Sequence, residues 1–249
     1  MQIANGVEML EISAVIMGKA KVIHPTLFWD GHEVILVDAG YPGQLPLFRE
    51  AMEKAQVPFD KLSKIIITHP DIDHIGSLPA IVNALPQKAE VLASAVEKPY
   101  IEGEKRPVKI TPEAITHALA SLPPDVPEEK RQALKTALEN PPKADVDRAV
   151  GDGEELPYCG GITVISTPGH TPGHICLYHQ PSRTLVAGDA LTVIDGRLAK
   201  MNPQLTFDRE EAKRSLNRLS EYDIETVICY HGGLYKGNAN QRIAELAQT

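Results

Sequence analysis

Short apolar runs that end at an aspartate or a histidine are the feature of this 249-residue sequence that most constrains its fold. The run KIIIT at residues 64–68 is rich in β-branched residues and has the length of a buried strand. Glycine stands close to nearly every such run end, and it permits tight turns there. The residues that follow apolar runs in this way are Asp38, His69, His170, Asp189 and His231. We therefore expect a sheet whose loops gather these side chains at one edge.

The predicted elements run in the order strands then helices, twice, which indicates an α/β fold. In the first half we predict strands between residues 7 and 38 and at 63–68 and 89–94, and helices at 46–56 and from residue 76. In the second half we predict strands at 161–167, 175–189 and 225–233, and helices at 208–222 and 239–248. A hairpin turn is predicted at Asp30-Gly31, because both residues tolerate a positive φ.

Residues 97–150 differ from the rest because they are rich in proline, lysine and glutamate. Two helical patches are predicted there, at about 112–121 and 127–139. One interpretation is a solvated helical insertion, and another is a lid or specificity element over a site made elsewhere. The insertion could also cover the partner in a homodimer. The two halves on either side are expected to form one domain, residues 1–249.

Composition limits the partners and the compartment. The formal charge of -8 argues against a nucleic-acid or anionic-membrane surface, because such surfaces need a basic patch. The three cysteines, Cys159, Cys176 and Cys229, lie far apart, which disfavours a disulfide framework or a cysteine zinc site. The sequence has no signal-peptide pattern and no apolar run long enough to span a membrane. We therefore expect a cytoplasmic protein that acts on a small molecule.

Four histidines and three aspartates that converge would be costly without a partner, because close carboxylates repel one another. A metal removes this cost, and imidazole with carboxylate suits zinc, iron or manganese. Two divalent ions with a bridging hydroxide would supply a nucleophile at neutral pH. The cluster therefore predicts a metal centre.

The motifs THPDIDHIG, STPGHTPGH, VAGDA and CYHGG, in this order, resemble the metallo-β-lactamase superfamily over almost the whole chain. The long gap between His74 and His170 is accounted for by the insertion. The resemblance implies an αββα four-layer sandwich, with two central sheets, helices outside and the site at one edge. It also implies two divalent metal ions, with zinc favoured and manganese or iron as alternatives.

The resemblance also assigns a role to each residue of the cluster. One metal would take His69, His170 and residue 71, and the other would take Asp73, His74 and His231. Asp189 would bridge the two ions, and Asp73 would also orient the attacking water. Two residues are expected to support the ligands rather than bind metal, namely Asp38 and His174. The sequence identifies no substrate-binding residue.

Position 71 departs from the family pattern, because this chain has aspartate where the family has histidine. Asp71 could be a ligand, as a glutamate is in the related flavodiiron proteins. It could instead be too short to reach, which would weaken the first site, or it could turn away and accept a hydrogen bond. Three aspartates, a hydroxide and two divalent ions sum to zero charge, whereas histidine at 71 would leave one positive charge. We therefore expect a first metal that is a weaker Lewis acid and a preference for harder metals.

The function that the resemblance implies is a metal-dependent hydrolase in which a metal-bound hydroxide attacks an ester-like carbonyl. Lactones and thioesters are the expected substrates, since the GHTPGH motif and the size resemble the lactonase and glyoxalase II-like branches; phosphodiesters are a weaker expectation. One alternative is a non-haem iron redox protein that acts on oxygen or a persulfide. A second is a non-catalytic scaffold that metal stabilises.

Overall fold

The computed structural model describes residues 1–16 and 19–248. Residues 17, 18 and 249 lie outside this description. Residues 17 and 18 fall within the predicted strand region 7–38, and all three fall within the predicted domain 1–249. The strands of the first half are β1 (Gln2–Ala4), β2 (Val7–Met9), β3 (Ile12–Ile16), β4 (Lys19–Ile23), β5 (Thr26–Trp29), β6 (Val34–Val37), β7 (Lys64–Ile67), β8 (Glu90–Ser94) and β9 (Arg148–Val150). The strands of the second half are β10 (Glu155–Leu156), β11 (Ile162–Ser166), β12 (Ile175–His179), β13 (Thr184–Val186), β14 (Leu191–Ile194), β15 (Arg197–Lys200), β16 (Thr226–Cys229) and β17 (Gly233–Lys236).

Eight α-helices connect or cover these strands in the described residues. They are α1 (Leu45–Lys54), α2 (Ile72–Ile75), α3 (Leu78–Ala84), α4 (Lys98–Ile101), α5 (Pro112–Ala120), α6 (Glu128–Glu139), α7 (Arg209–Leu219) and α8 (Ala239–Gln248). Two short 3₁₀ helices lie at Phe59–Lys61 and Pro203–Leu205. The predicted helices at 46–56, 112–121 and 127–139 are thus confirmed to within two residues at each end.

The strands form two large sheets and two separate hairpins. The first sheet has the order β1-β2-β5-β6-β7-β8-β9, and its strands β6 to β9 are parallel. The second sheet has the order β10-β11-β12-β13-β16-β17, with one parallel pair, β13 and β16. The hairpins are β3-β4 and β14-β15. Parallel neighbours place their carboxyl ends at the same edge, so the loops after β6, β7, β13 and β16 can meet there.

Three apolar cores separate four layers. Successive residues of β7 face opposite sides of the first sheet, so Ile65 and Ile67 pack with α1 while Ile66 joins the core between the sheets. That central core takes residues from both halves of the chain, from Val7 to Ile228. The third core lies between the second sheet and helices α7 and α8. This arrangement is the predicted αββα sandwich.

The predicted insertion at 97–150 includes two segments that belong to the sandwich. Strand β9 pairs with β8 in the first sheet, and Ile101 of α4 is fully buried in the first core. The chain leaves the sandwich after Ile101 and returns at Ala144, whose N–H donates to the Ile101 carbonyl at 3.1 Å. Between these points, α6 buries none of its side chains, all of which are described, and Ile115 is the single buried residue of the fully described α5. The solvated helical part is therefore narrower than the sequence predicts.

The turn at Asp30-Gly31 is confirmed, but the reason given for it is wrong. Strands β5 and β6 pair antiparallel with Phe28 opposite Ile35. Neither Asp30 nor Gly31, both described, is among the residues with positive φ. Instead, Asp30 Oδ1 accepts the N–H groups of His32 and Glu33 at 2.7 and 2.9 Å, which closes the turn through a side chain.

Candidate metal centre

The loop that follows β7 and the short helix α2 together carry four of the predicted site residues, His69 and Asp71 in the loop and Asp73 and His74 in the helix. Strand β7 ends at Ile67, and Asp71 stands at the N-cap of α2, where its carbonyl accepts the N–H of His74 at 2.8 Å. The single turn of α2 turns the chain back, so that Asp73 and His74 face the end of the sheet. His69 and His74 are fully buried, and their rings lie 3.9 Å apart between centroids.

The second triad consists of Asp73, His74 and His231, whose ligand atoms all lie within 4.8 Å of one another. His231 follows β16, and its Nε2 lies 3.2 Å from Asp73 Oδ2. His74 Nδ1 lies 2.8 Å from Asp38 Oδ2 and must donate its proton there, because a carboxylate only accepts. When the ring is neutral, this contact leaves the lone pair on His74 Nε2, which faces the site.

Asp38 holds more than one part of the loop. Its Oδ1 accepts the N–H of Thr68 at 2.9 Å, and its Oδ2 accepts the Thr68 hydroxyl at 2.8 Å. The hydroxyl oxygen of Thr68 lies 3.0 Å from His69 Nδ1 and fixes that ring as well. The predicted supporting role of Asp38 therefore extends to both histidines of the loop.

The first triad consists of His69, His170 and Asp189, and its ligand atoms also lie within 4.8 Å of one another. His170 follows β11, and Asp189 follows β13. His170 Nε2 is 3.2 Å from Asp189 Oδ2, whereas His69 Nε2 is 4.0 Å from the same oxygen. The sheet edge thus brings together residues from both halves of the chain.

The two oxygens of Asp189 face different triads. Oδ2 faces His69 and His170, as just described, while Oδ1 lies 3.4 Å from His74 Nε2 and 3.5 Å from His231 Nε2. Although burial opposes its ionisation, the neighbouring imidazoles of His74 and His231 hold the pKa of Asp189 well below its usual value. A charged carboxylate in this place can therefore offer one oxygen to each triad.

The donor set fits divalent metal ions. His69 Nε2, His74 Nε2 and Asp189 Oδ1 are buried without a hydrogen-bond partner among the described residues. Buried polar atoms are normally paired, because leaving one unpaired costs about 1–3 kcal/mol. These three atoms face the same space, and imidazole nitrogen with carboxylate oxygen suits zinc, iron or manganese. The arrangement can therefore hold metal ions at both triads.

His174 supports the site from behind. Its Nε2 accepts the N–H of Asp189 at 3.0 Å, and its Nδ1 lies 2.8 Å from the Thr167 hydroxyl. Burial, aided by the neighbouring His170, lowers the pKa of His174 to about 3, so the ring is neutral and can accept. Gly188 makes this contact possible, because a Cβ there would lie 2.7 Å from His174 Nε2. Both nitrogens of His174 thus have protein partners, and its supporting role stays a prediction.

Asp71 reaches the first triad. Its Oδ2 lies 3.2 Å from His170 Nε2 and 3.4 Å from His69 Nε2, so the interpretation in which Asp71 turns away does not describe this structure. Although burial raises the pKa of a carboxyl, His69, His170 and Lys109 hold the pKa of Asp71 well below its usual value. Its role as a metal ligand stays a prediction.

The sequence matches the family model of the metallo-beta-lactamase superfamily over residues 20–231. The chain belongs to this superfamily. The match spans the whole distance from β4 to His231 and so includes both triads. It agrees with the resemblance that the four sequence motifs indicate.

Curated relatives in the superfamily point to the same broad activity. The probable metallo-hydrolase YflN of Bacillus subtilis (strain 168) is 31% identical over 229 residues, which cover 87% of this chain and 82% of that protein. The hydroxyacylglutathione hydrolase of Klebsiella pneumoniae is 36% identical, but over 85 residues that cover 34% of this chain and 31% of the relative. The chain is therefore a metallo-hydrolase by family.

Solved structures of superfamily members share the fold. A metallo-beta-lactamase family protein from Thermus thermophilus aligns with a TM-score of 0.70 at 24% identity, and the alignment covers 99% of this chain and 80% of that one. An archaeal member from Sulfolobus tokodaii aligns with a TM-score of 0.65 at 22% identity, covering 98% and 85%. At these identities the likeness supports the fold alone. None of the described helices combines the length and apolar character needed to cross a membrane.

The sequence analysis did not identify several residues that lie beside the two triads. Lys109, from the insertion, hydrogen-bonds to Asp71 and lies 2.8 Å from His170 Nε2. Burial and the neighbouring Asp73 raise the pKa of the Tyr41 hydroxyl, and the hydroxyl of Tyr230 donates to the Asp73 carbonyl. Tyr230 directly precedes the predicted ligand His231, so its place could have been inferred. Lys109 and Tyr41 carry no local signal of this kind.

Proposed function

We propose that this metallo-hydrolase cleaves an ester-like bond with two divalent ions at the two triads, zinc first and manganese or iron as alternatives. The observation that carries the proposal is Asp189, whose two oxygens face separate sets of imidazole nitrogens. Ions held in this way lower the pKa of bound water and polarise a carbonyl group. Our preferred substrates are lactones and thioesters.

The protein groups around the second triad have distinct tasks in this proposal. Asp73 faces His231 and can hold the proton released when the attacking water reacts. Burial together with Asp73 raises the pKa of the Tyr41 hydroxyl, so Tyr41 stays protonated and can donate a hydrogen bond. Asp38 keeps His74 in one tautomer. These contacts would orient the attacking group before the substrate arrives.

The substrate class rests on weaker support. The partial relative is a hydroxyacylglutathione hydrolase, and the acyl–sulfur bond of an acylglutathione is a thioester. That alignment covers about a third of either protein, so it favours thioesters without extending to the glutathione part. The acidic surface argues for a small-molecule substrate rather than a nucleic acid. A homodimer that the insertion covers, and a cytoplasmic location, stay predictions.

Metal stoichiometry with a substrate panel tests the proposal. Metal-free protein would be dialysed to equilibrium against excess zinc, manganese or iron and then analysed for its elements. We expect two ions per chain in the wild type and one in Asp71→Ala, with two retained in the control Asp60→Ala, whose carboxylate is exposed. The two-ion protein should hydrolyse a lactone or a thioester.

Two results would count against this function. A two-ion protein that hydrolyses neither a lactone nor a thioester would contradict the proposed substrates, and inactivity on phosphodiesters too would contradict the hydrolase. Oxygen consumption by the iron form would support the redox alternative instead. Two ions in both the wild type and Asp71→Ala would remove Asp71 from the ligand set and leave the bridge by Asp189 intact.

A further inference from the structure

Lys109 connects the helical insertion to the first triad. It lies on a turn between α4 and α5, in which the Ile110 N–H donates to the Pro107 carbonyl at 2.9 Å. Its ammonium hydrogen-bonds to Asp71, lies 2.8 Å from His170 Nε2 and 3.5 Å from the Leu205 carbonyl. Its side chain is 23% exposed, so these contacts are largely shielded from water.

These contacts use the atoms that a first metal ion would need. An ammonium has donors only, so when it hydrogen-bonds to His170 Nε2 it uses the lone pair of that nitrogen, and the Asp71 and Asp189 carboxylates lie 3.2 Å from the same atom. A metal ion binds through the same lone pair, and it also seeks the Asp71 carboxylate. We propose that Lys109 competes with the first metal ion for His170 and Asp71, so that the insertion sets how readily the first position is filled.

His170 lacks the support that holds His69 and His74, whose Nδ1 atoms contact Thr68 and Asp38. In the second triad, Asp38 fixes His74 through Nδ1 and leaves Nε2 ready to bind. In the first triad, His170 Nδ1 is buried without a hydrogen-bond partner in the part of the chain that the structure describes. The His170 ring is therefore oriented through Nε2, the atom that Lys109 contacts together with Asp71 and Asp189. Competition by Lys109 should consequently act on the first triad and spare the second.

Metal affinity, measured without reference to turnover, tests this competition. Zinc would be titrated into metal-free protein in the presence of a competing chelator, for wild type, Lys109→Met and Lys109→Arg. Methionine keeps an unbranched side chain, one atom shorter than that of lysine, but removes the charge and the donors. We expect Lys109→Met to bind the first ion at least fivefold more tightly, with the second site changed less than twofold. Lys109→Arg, which keeps a donor cation, should stay within fivefold of wild type.

A lysine elsewhere on the same insertion supplies the matched control. Lys105 is exposed and lies over the Tyr100 ring, so Lys105→Met removes an equal charge away from the ligands. A first-site gain below fivefold in Lys109→Met, an equal gain in Lys105→Met, or an equal gain at both sites would overturn the proposal. So would a single bound ion in every variant.

The competition rests on the metal centre of the proposed function, but it does not rest on hydrolysis. A protein that binds two ions with the expected affinities and hydrolyses no substrate would contradict the proposed function and leave the role of Lys109 standing. If the protein is an active hydrolase but wild type and Lys109→Met bind the first ion equally well, the proposed function would stand and the role of Lys109 would be contradicted.

Discussion

Asp38 offers the sharpest test of how the ligands are positioned. Its side chain is 1% exposed and accepts three hydrogen bonds, from the N–H and hydroxyl of Thr68 and from His74 Nδ1. Its φ is 64°, in the left-handed region, where asparagine is tolerated better than alanine. The substitution Asp38→Asn therefore changes the chemistry of the side chain without adding backbone strain.

The effect of Asp38→Asn follows from the hydrogen-bond inventory. The new amide oxygen can still accept the Thr68 N–H, but an amide nitrogen then takes the place of Oδ2 and faces His74 Nδ1. Two donors cannot share one contact, so His74 must move its proton to Nε2, the atom that faces the second triad. Thr68 can accept from the amide and from His69 Nδ1 at once, so His69 keeps its tautomer.

We expect a loss of metal affinity at the second triad only. Removing a partner of this kind lowers metal affinity by about 10- to 100-fold, and this corresponds to about 1.4–2.7 kcal/mol. The two affinities would be measured by zinc titration against a chelator. His231→Ala would identify the second site and His170→Ala the first.

Asp30→Asn is the matched control, because Asp30 lies in an exposed turn far along the chain from the ligands and its Oδ1 contacts can be kept by an amide oxygen. It should leave both affinities within twofold of wild type. If Asp38→Asn also leaves the second site within twofold, or weakens both sites equally, the tautomer argument is wrong.

Three further predictions concern the frame around the site. Phe48→Ala should lower the free energy of unfolding by about 3–5 kcal/mol, because Phe48 is fully buried, whereas the exposed Phe207→Ala should change it by less than about 0.5 kcal/mol; urea unfolding measures both. Gly188→Ala should cost about 1–3 kcal/mol and weaken zinc binding, since φ is 49° and the new Cβ would meet His174; unchanged stability would refute this. In metal-free protein, burial lowers the pKa of His174 from 6.5 to about 3, so its contribution to stability is present above pH 6.5 and is lost as pH falls. Between pH 7 and pH 5, the free energy of unfolding of wild type relative to the non-titrating His174→Asn should therefore fall by about 2 kcal/mol. A stability difference that does not change with pH would argue against a neutral buried imidazole.

The predicted metal ligands meet in the structure because their signal is local. Each follows a short apolar run, and the alternation seen at Ile65, Ile66 and Ile67 fixes both faces of the strand that leads to His69. A strand that is buried on both faces can place a polar residue only beyond its end, and this end lies at the edge of the sheet. Burial and chain direction together therefore bring the six residues of the two triads within reach of one another.

The hairpin β14-β15 was missed although the sequence contains its signal. Asp195-Gly196 separates the two strands, and both residues have positive φ, 49° and 73°. This is the turn chemistry that was wrongly assigned to Asp30-Gly31, where a side-chain contact closes the turn instead. The same dipeptide thus has two solutions, and the flanking residues do not distinguish them.

Lys109 could not have been predicted, because its contacts join parts of the chain that no local pattern relates. The charge count from the sequence added the negative charge of Asp71 but included no cationic side chain. The ammonium of Lys109 compensates that charge in this structure. Asp71 thus forms an ion pair with Lys109, and the departure from the family pattern at position 71 is understood only when Lys109 is considered with it.

The backbone contact between Ile101 and Ala144 makes the helices between them a module that the sandwich does not need in order to keep its own connections. Its ends are fixed beside each other, and α6 contributes no buried side chain among its described residues. The entropy of closing such a loop rises only slowly with its length. Changes of length or sequence in the module should therefore cost the sandwich little, while the turn at Lys109 changes what reaches the ligands. Evolution could in this way retune the chemistry of the centre from a segment that carries almost none of the stability.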